Sequence, residues 1–377
     1  MGEAGVRETF VRASAGADVA VVEGAMGLYD GLEGSDTAST AHVAKILDAP
    51  VILVVDAGGA SRSVHAMALG YAGFDPGVRV AGVILNQIGS ARHRAMIEET
   101  KSLPIYGGVP RRKDLAVESR HLGLAMAAED DAMAQFGAVM EETCDLSRIV
   151  DLARSAPPLP APAESGSRSE TRVRIGVAQD AAFCFYYADN LDRLARAGAD
   201  LVFFSTVADR LPDVDALYLG GGYPELHAAA LAASRCREDI RRAADDGMPI
   251  YAECGGLIYL AEQLATDGGD YPMAGILPAA AVMTDRIQAL GYVEARVAGG
   301  TPVLIPGSAF RGHEFHYSRL DCAPDARFAL TLLRGKGIDG GRDGLIAQNA
   351  VGQYTHAYFT EGFAGMLVQA ALAYRRS

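Results

Sequence analysis

A cysteine followed by two glycines at the end of an apolar run is the feature of this sequence best equipped for covalent chemistry. In "PIYAECGGLIYL", a strand-like run reaches Cys254, then Gly255 and Gly256, then an apolar helix pattern. Strand, tight turn and helix in that order make a nucleophile elbow, which lifts the nucleophile out of a sheet. The helix N-terminus behind the sulfur is expected to favour thiolate over thiol. Attack on an amide also needs a base and donors for the developing oxyanion. The candidate bases are His313 and His316 in "RGHEFHYS" and His356 in "VGQYTHAYF". "YLGGGYPE" follows a strand-like run upstream of the elbow and offers the backbone N–H groups of Gly220, Gly221 and Gly222. The alternative for any free cysteine is a small buried hydrophobe, and that is the reading for Cys144, Cys184, Cys236 and Cys322.

A second set of chemical residues lies near the start, in "VVEGAMGLYDG". Apolar Val19–Val22 reads as a central strand of a sheet covered on both faces, where the apolar run is continuous. Glu23 then stands at the strand's carboxyl end, the edge at which open α/β sheets bind ligands. Gly24 and Gly27 permit close backbone approach, and Asp30 follows. The alternative is a loop carrying two solvated carboxylates.

These residues need scaffolds, and the sequence supplies two. The 377 residues exceed one ordinary domain. In the first half, strand-like runs at Val19–Val22, Val51–Val55 and Val80–Leu85 alternate with helical patterns at Ala38–Leu47, Ser63–Tyr71 and Ala91–Thr100. That alternation indicates βαβ units and a parallel sheet. The stretch "SAPPLPAPAESGSRSETR", residues 155–172, is rich in Pro, Ala, Ser and charge without periodicity, and reads as a linker. It separates a domain at 1–154 from one at 173–377. In the second, Val173–Ala178, a helix at Ala188–Ala197, Leu201–Ser205, Ala216–Gly222 and Pro249–Gly256 restart the alternation. A β-rich stretch and a final helix over Phe363–Tyr374 follow. The fold class is therefore α/β in both halves.

The net charge of −13 argues against nucleic acid and anionic membranes as partners, since both recruit a basic face. No apolar run is long enough for a membrane span and "MGEAGVRETF" is no signal peptide, which places the chain in the cytoplasm. Five cysteines without CxxC spacing disfavour a disulfide framework or a zinc site.

Taken together, "YLGGGYPELHA", "YAECGGLIYL", "GHEFHYS" and "YTH" resemble the class I glutamine amidotransferase domain of the cobyrinic acid a,c-diamide synthase family. "VVEGAMGLYDG", "GSDTASTAHVAK", "PVILVVDA", "GVILNQIGS" and "ESRHLGL" resemble that family's ATP-dependent amidoligase domain, a P-loop-NTPase-like sheet similar to dethiobiotin synthetase. The resemblance implies glutamine hydrolysis at Cys254 with His356 as base. Gly221, Gly222, His313 and His316 would then serve the oxyanion or the glutamine. Ala357 and Tyr358 stand where common triads have a Glu two residues after the His, so a Cys–His dyad is expected. In the first domain the resemblance implies that Glu23 binds the Mg2+ held by ATP, that Asp30 and Arg120 contact substrate, and that Asn86 reads the nucleotide. Ammonia would pass internally to the first domain. The implied substrate is cobyrinic acid, amidated on its a- and c-acetates in cobalamin biosynthesis. Ni-sirohydrochlorin, in coenzyme F430 biosynthesis, is the alternative acceptor.

The four lysines, Lys45, Lys101, Lys113 and Lys336, lie in no GxxxxGK[ST] loop, the motif that cradles ATP phosphates. The expectation is a family member without its N-terminal P-loop portion. It would act alone, as a homo-oligomer, with a separate P-loop-bearing chain, or as a glutaminase only.

Overall fold

The computed structural model describes residues 1–112, 130–160 and 172–376. The chain divides into two compact units, Met1–Glu164 and Ser165–Ser377.

The first unit contains α1 (Gly2–Ala13), α2 (Thr40–Leu47), β1 (Val51–Asp56), α3 (Arg62–Phe74), β2 (Val80–Ile88), α4 (Ala91–Glu98), β3 (Ile105–Pro110), α5 (Asp130–Thr143) and α6 (Leu146–Arg154). Its strands form a parallel sheet in the order β1-β2-β3, as the βαβ alternation predicts. α2 and α4 start where a side chain takes an unpaired backbone N–H. Ser39 Oγ accepts from His42 N at 3.0 Å, and Ser90 Oγ from His93 N at 3.1 Å. The sheet's apolar residues Leu53, Val83 and Leu85 pack with Val64 and Ala68 of α3.

The expected strand at Val19–Val22 does not form. These residues are coil, and Val21 and Val22 are 90% and 52% exposed. A strand exists only where a neighbour takes its amides and carbonyls. β1 is an edge of the described sheet, and no described strand lies along its outer side. Glu23 consequently does not sit at a strand's carboxyl end. Asn86, expected to close its strand, lies within β2, which runs on to Ile88.

The second unit begins with β4 (Val173–Ala178), β5 (Phe183–Phe185), α7 (Ala188–Ala197), β6 (Ala199–Phe204), β7 (Ala216–Leu219), β8 (Gly221–Gly222), α8 (Ala228–Ala233), α9 (Arg235–Asp245), β9 (Ile250–Glu253) and α10 (Gly255–Leu260). It continues with β10 (Gln263–Thr266), β11 (Gly269–Pro272), β12 (Ala279–Met283), β13 (Ala289–Val297), β14 (Ala309–His316), β15 (Ser318–Cys322), β16 (Arg327–Arg334), β17 (Arg342–Ala347), β18 (Ala350–Gln353), β19 (His356–Ala357) and α11 (Glu361–Arg375). Ten strands form one sheet in the order β19-β14-β13-β16-β17-β18-β9-β7-β4-β6. From β18 to β6 the pairs are parallel, and from β18 to β19 they are antiparallel.

Strand periodicity sends alternate residues to two cores. Leu217, Leu219, Ile250 and Ala252 pack with α9, α10 and the small sheet β11-β10-β12-β15. Tyr218 and Tyr251 face Leu194 of α7 and Phe363 and Leu367 of α11. Both faces of the parallel half are thus covered, which explains its continuous apolar runs. No described helix is long and apolar enough to cross a membrane.

Candidate active site

The elbow forms as its residue order predicts. β9 ends at Glu253, Cys254 adopts φ 47 and ψ −99, and α10 starts at Gly255. A positive φ at a residue with a Cβ stores strain that the surrounding structure must hold. Cys254 N donates to Gln353 O at 2.7 Å, and Gly256 N to Gly220 O at 2.9 Å. A Cβ on Gly256 would collide with Leu219 O, so glycine lets α10 press onto the β7–β8 loop.

Three strands, β14, β8 and β19, pack around the elbow. Cys254 Sγ donates to Phe315 O of β14 at 3.7 Å. Gly222 N lies 2.9 Å from where a Cβ on Gly255 would stand, and a Cβ on Gly221 would collide with His356 Cε1. His356 pairs across β19–β14 with His313, and their rings stack with centroids 4.8 Å apart. Tyr187 Oη and His313 Nδ1 share a hydrogen bond at 2.7 Å. The structure therefore brings together Cys254, Gly221, Gly222, His313 and His356.

Two expectations are corrected. The Gly220 N–H is not free for an oxyanion, because it donates to Tyr186 Oη at 2.8 Å. The thiolate is not favoured either. Burial pushes the Cys254 thiol up to about 12, outweighing the hydrogen bond from Gly255 N–H. Burial, with the imidazoles of His313 and His316, pulls His356 down to about 3. The resting pair is a neutral thiol and a neutral imidazole, and the latter can take a proton.

His316 stands apart from the other two histidines. Three residues beyond His313 on a regular strand, it points to the opposite face of β14. Its ring stacks on Tyr354 at 3.5 Å between centroids, and its Nδ1 donates to Ser318 O at 2.7 Å. Burial pulls it down to about 4.

Sequence reasoning passed over an acid inside the quoted elbow. Glu253 is buried, and its carboxyl accepts from Tyr218 Oη at 2.9 Å, Tyr251 Oη at 2.7 Å and Ala357 N at 2.9 Å. Burial raises it to about 7 despite these donors. The signal was available: a carboxylate in an otherwise apolar strand is costly unless it has specific partners. Asp343, equally buried, accepts from Tyr354 N at 3.0 Å and from Thr355 Oγ1 at 2.7 Å, and is raised to about 6 by burial.

In the first unit Glu23, Asp30 and Asn86 share no described hydrogen bond or ion pair. Glu23 and Asp30 are exposed, on coil. The Asp30 carboxylate folds back over Gly27, where a Cβ would collide with it, so this glycine admits the chain's own side chain. Asn86 lies across from Asp56, the last residue of β1, and its Oδ1 accepts from Gln87 N at 2.9 Å. Lys45 bridges Asp36 at 2.7 Å and Asp75 at 2.8 Å, so this part of "GSDTASTAHVAK" supports the fold. Arg120, with Ser119 and His121, lies outside the described residues. No three described His, Cys, Asp or Glu side chains converge to hold a metal ion.

Comparison with known proteins adds to this geometry. Residues 174–363 match the model of the CobB/CobQ-like glutamine amidotransferase domain, and residues 5–119 match that of an AAA domain. Cobyrinate a,c-diamide synthase of Methanosarcina acetivorans is 41% identical, over 100% of this chain and 84% of that protein. The synthase of the same name from Archaeoglobus fulgidus is 43% identical, over 94% of this chain and 80% of that protein. That from Halobacterium salinarum is 46% identical, over 95% and 80% respectively. Among solved structures, PurLQS from Thermotoga maritima is similar at 20% identity and a TM-score of 0.41, covering 55% of this chain and 100% of that one.

Proposed function

The chain belongs to the cobyrinate a,c-diamide synthase family, and on that premise we propose that it amidates the a- and c-acetate carboxylates of cobyrinic acid, using ATP and glutamine. The observation that carries this reading is the match, over 94–100% of this chain and 80–84% of theirs, to relatives bearing that name. The elbow geometry supports the chemistry of its second half.

Cys254 is the nucleophile. His356, neutral because burial depresses it, accepts the thiol proton as sulfur attacks the glutamine side-chain carbonyl. The N–H groups of Gly221 and Gly222 are assigned to the developing oxyanion, and the absence of a side chain at Gly221 leaves room for the His356 ring. Collapse of the tetrahedral species releases ammonia, with His356 returning the proton to the leaving nitrogen. Water then cleaves the thioester to give glutamate and free thiol. His313 holds the stacked face of His356, whereas His316, stacked on Tyr354 and bonded to Ser318 O, supports the fold.

In the first unit, transfer of the ATP γ-phosphoryl to an acetate carboxylate makes a leaving group that ammonia displaces as phosphate. Glu23 is an exposed carboxylate, an oxygen donor of the type a hard cation takes, and would hold Mg2+ bound together with ATP, while exposed Asp30 is assigned to substrate. When bound there, the ion would neutralise charge on the phosphates. Asn86 is assigned to the nucleotide and Arg120 to substrate, since a guanidinium pairs with carboxylate or phosphate.

The test is ammonia release from glutamine by the purified chain, with and without Mg-ATP and cobyrinic acid, followed by mass spectrometry of the corrinoid. Diamide formation is expected. Amidation of Ni-sirohydrochlorin in preference to cobyrinic acid would overturn the substrate, and glutamine hydrolysis without amidation would leave only a glutaminase.

A further inference from the structure

We propose that Glu253 is the positioning residue for His356, holding the histidine through the peptide that follows it and not through the imidazole ring. The inference rests on the assignment of Cys254 and His356 made above.

The position is unusual in what it joins. Glu253 immediately precedes Cys254, and its carboxyl oxygen accepts from the N–H of Ala357, immediately after His356 and 104 residues away in sequence. One side chain therefore ties the end of the strand that carries the nucleophile to the segment that carries the base. The residues two positions beyond the histidine offer no acid, and the groups that act on its ring are buried surroundings and two other imidazoles. Orientation must come from elsewhere.

The backbone around His356 supplies it. On the C-terminal side, Glu253 takes Ala357 N, and Asn190 Nδ2 donates to Ala357 O at 2.8 Å. On the N-terminal side, Asp343 accepts from Tyr354 N at 3.0 Å and from Thr355 N at 3.1 Å. Every one of these contacts is buried, so losing an acceptor leaves a donor with no water to turn to. A shift of about 1 Å in a reacting group can cost on the order of 100-fold in rate. Tyr218 and Tyr251 donate to the same carboxyl group, and both rings also pack on Phe359, three residues beyond the histidine.

Glutamine hydrolysis by full-length variants tests this, with folding checked by circular dichroism and thermal melting. Glu253→Met is expected to lower kcat roughly 10- to 100-fold while KM stays within about 2-fold, because the base moves and the substrate contacts do not. Glu253→Gln, whose amide oxygen still accepts from Ala357 N–H, should keep kcat within about 3-fold. Tyr218→Phe deprives the same carboxyl of a donor but leaves Ala357 N–H its acceptor, and should lower the melting temperature with a smaller kcat loss than Glu253→Met. If Glu253→Met does not fold, Glu253→Asp, one methylene too short to reach Ala357, takes its place with the same expectation. A folded Met or Asp variant with wild-type kcat would overturn the proposal, as would a kcat loss in Tyr218→Phe equal to that of Glu253→Met. Cys254→Ala separates the two levels of the argument. If it still hydrolyses glutamine, the site assignment itself fails. If it is inert while folded Glu253 variants are unimpaired, only the positioning role fails.

Discussion

Glu23 and Asp30 stand on exposed coil, bound to little besides their own loop, whereas Cys254 and His356 are buried and the peptides beside them are hydrogen-bonded to buried side chains from distant strands. The contrast follows from the chemistry assigned to each unit. A thiol and an imidazole acting on an uncharged amide gain from a dry, rigid setting, which keeps the base neutral and the geometry fixed. A carboxylate meant for a hydrated cation and its phosphates needs solvent access and few partners of its own. The second unit therefore carries its arrangement in its own fold, and the first supplies donors that a ligand would gather.

The sharpest way to break this contrast is Cys254→Ala. It should lower glutamine-dependent amidation by at least about 1,000-fold and leave ammonia-dependent amidation intact, measured by mass spectrometry of the corrinoid with each nitrogen source. Equal loss with both sources would mean that the two chemistries are not divided between the units. Glu23→Gln should do the reverse on a smaller scale. A roughly 10- to 100-fold loss of amidation with either nitrogen source is expected, with glutamine hydrolysis unchanged in an ammonia-release assay. A fall in hydrolysis would contradict its assignment to the ATP half.

The buried acid gives a third, thermodynamic comparison. Glu253 is raised from its ordinary 4.5 to about 7, so the folded state holds its proton more tightly than the unfolded chain does. Its stabilising contribution is full below about pH 4.5 and is lost as pH rises through about 7. Glu253→Gln removes that dependence. The melting temperature of the wild type should therefore fall relative to the variant across this window, by the equivalent of up to about 3 kcal/mol. His316 and His356, depressed to about 4 and about 3, act in the opposite sense by losing stability as pH falls, but they are present in both proteins and cancel in the difference. A constant difference across the window would refute a buried, proton-holding carboxyl.

The smallest expected effect tests the corrected strand. Val21→Asp, at a site that is 90% exposed, should change stability by less than about 0.5 kcal/mol in a denaturant titration. Val177→Asp, at a fully buried position of β4, should prevent folding of its unit. Equal damage from both would restore Val19–Val22 as a buried strand.

How much the sequence disclosed follows the same division. Local patterns sufficed for β4, α7 and the elbow, because strand run, helical pattern and glycine pair act within a few positions. Val19–Val22 was misjudged because strand formation depends on a neighbour, which composition does not reveal. Gly220 was misjudged for a related reason, since the group that takes its N–H is the hydroxyl of Tyr186, 34 residues earlier. Glu253 lay in plain view within "YAECGG", but its meaning depends on Ala357, 104 residues on. The thiolate expectation gives way to burial, which raises the Cys254 thiol to about 12 against the hydrogen bond from Gly255 N–H at the start of α10.

The central claim is that Cys254 is the atom source for covalent glutamine chemistry, and rapid acid quenching during turnover followed by peptide mass spectrometry tests it most directly. A glutamyl adduct on the peptide that contains Cys254, absent in Cys254→Ala, is the predicted result. Sustained glutamine hydrolysis with the adduct on Cys184, Cys236 or Cys322, or with hydrolysis persisting in Cys254→Ala, would contradict the account.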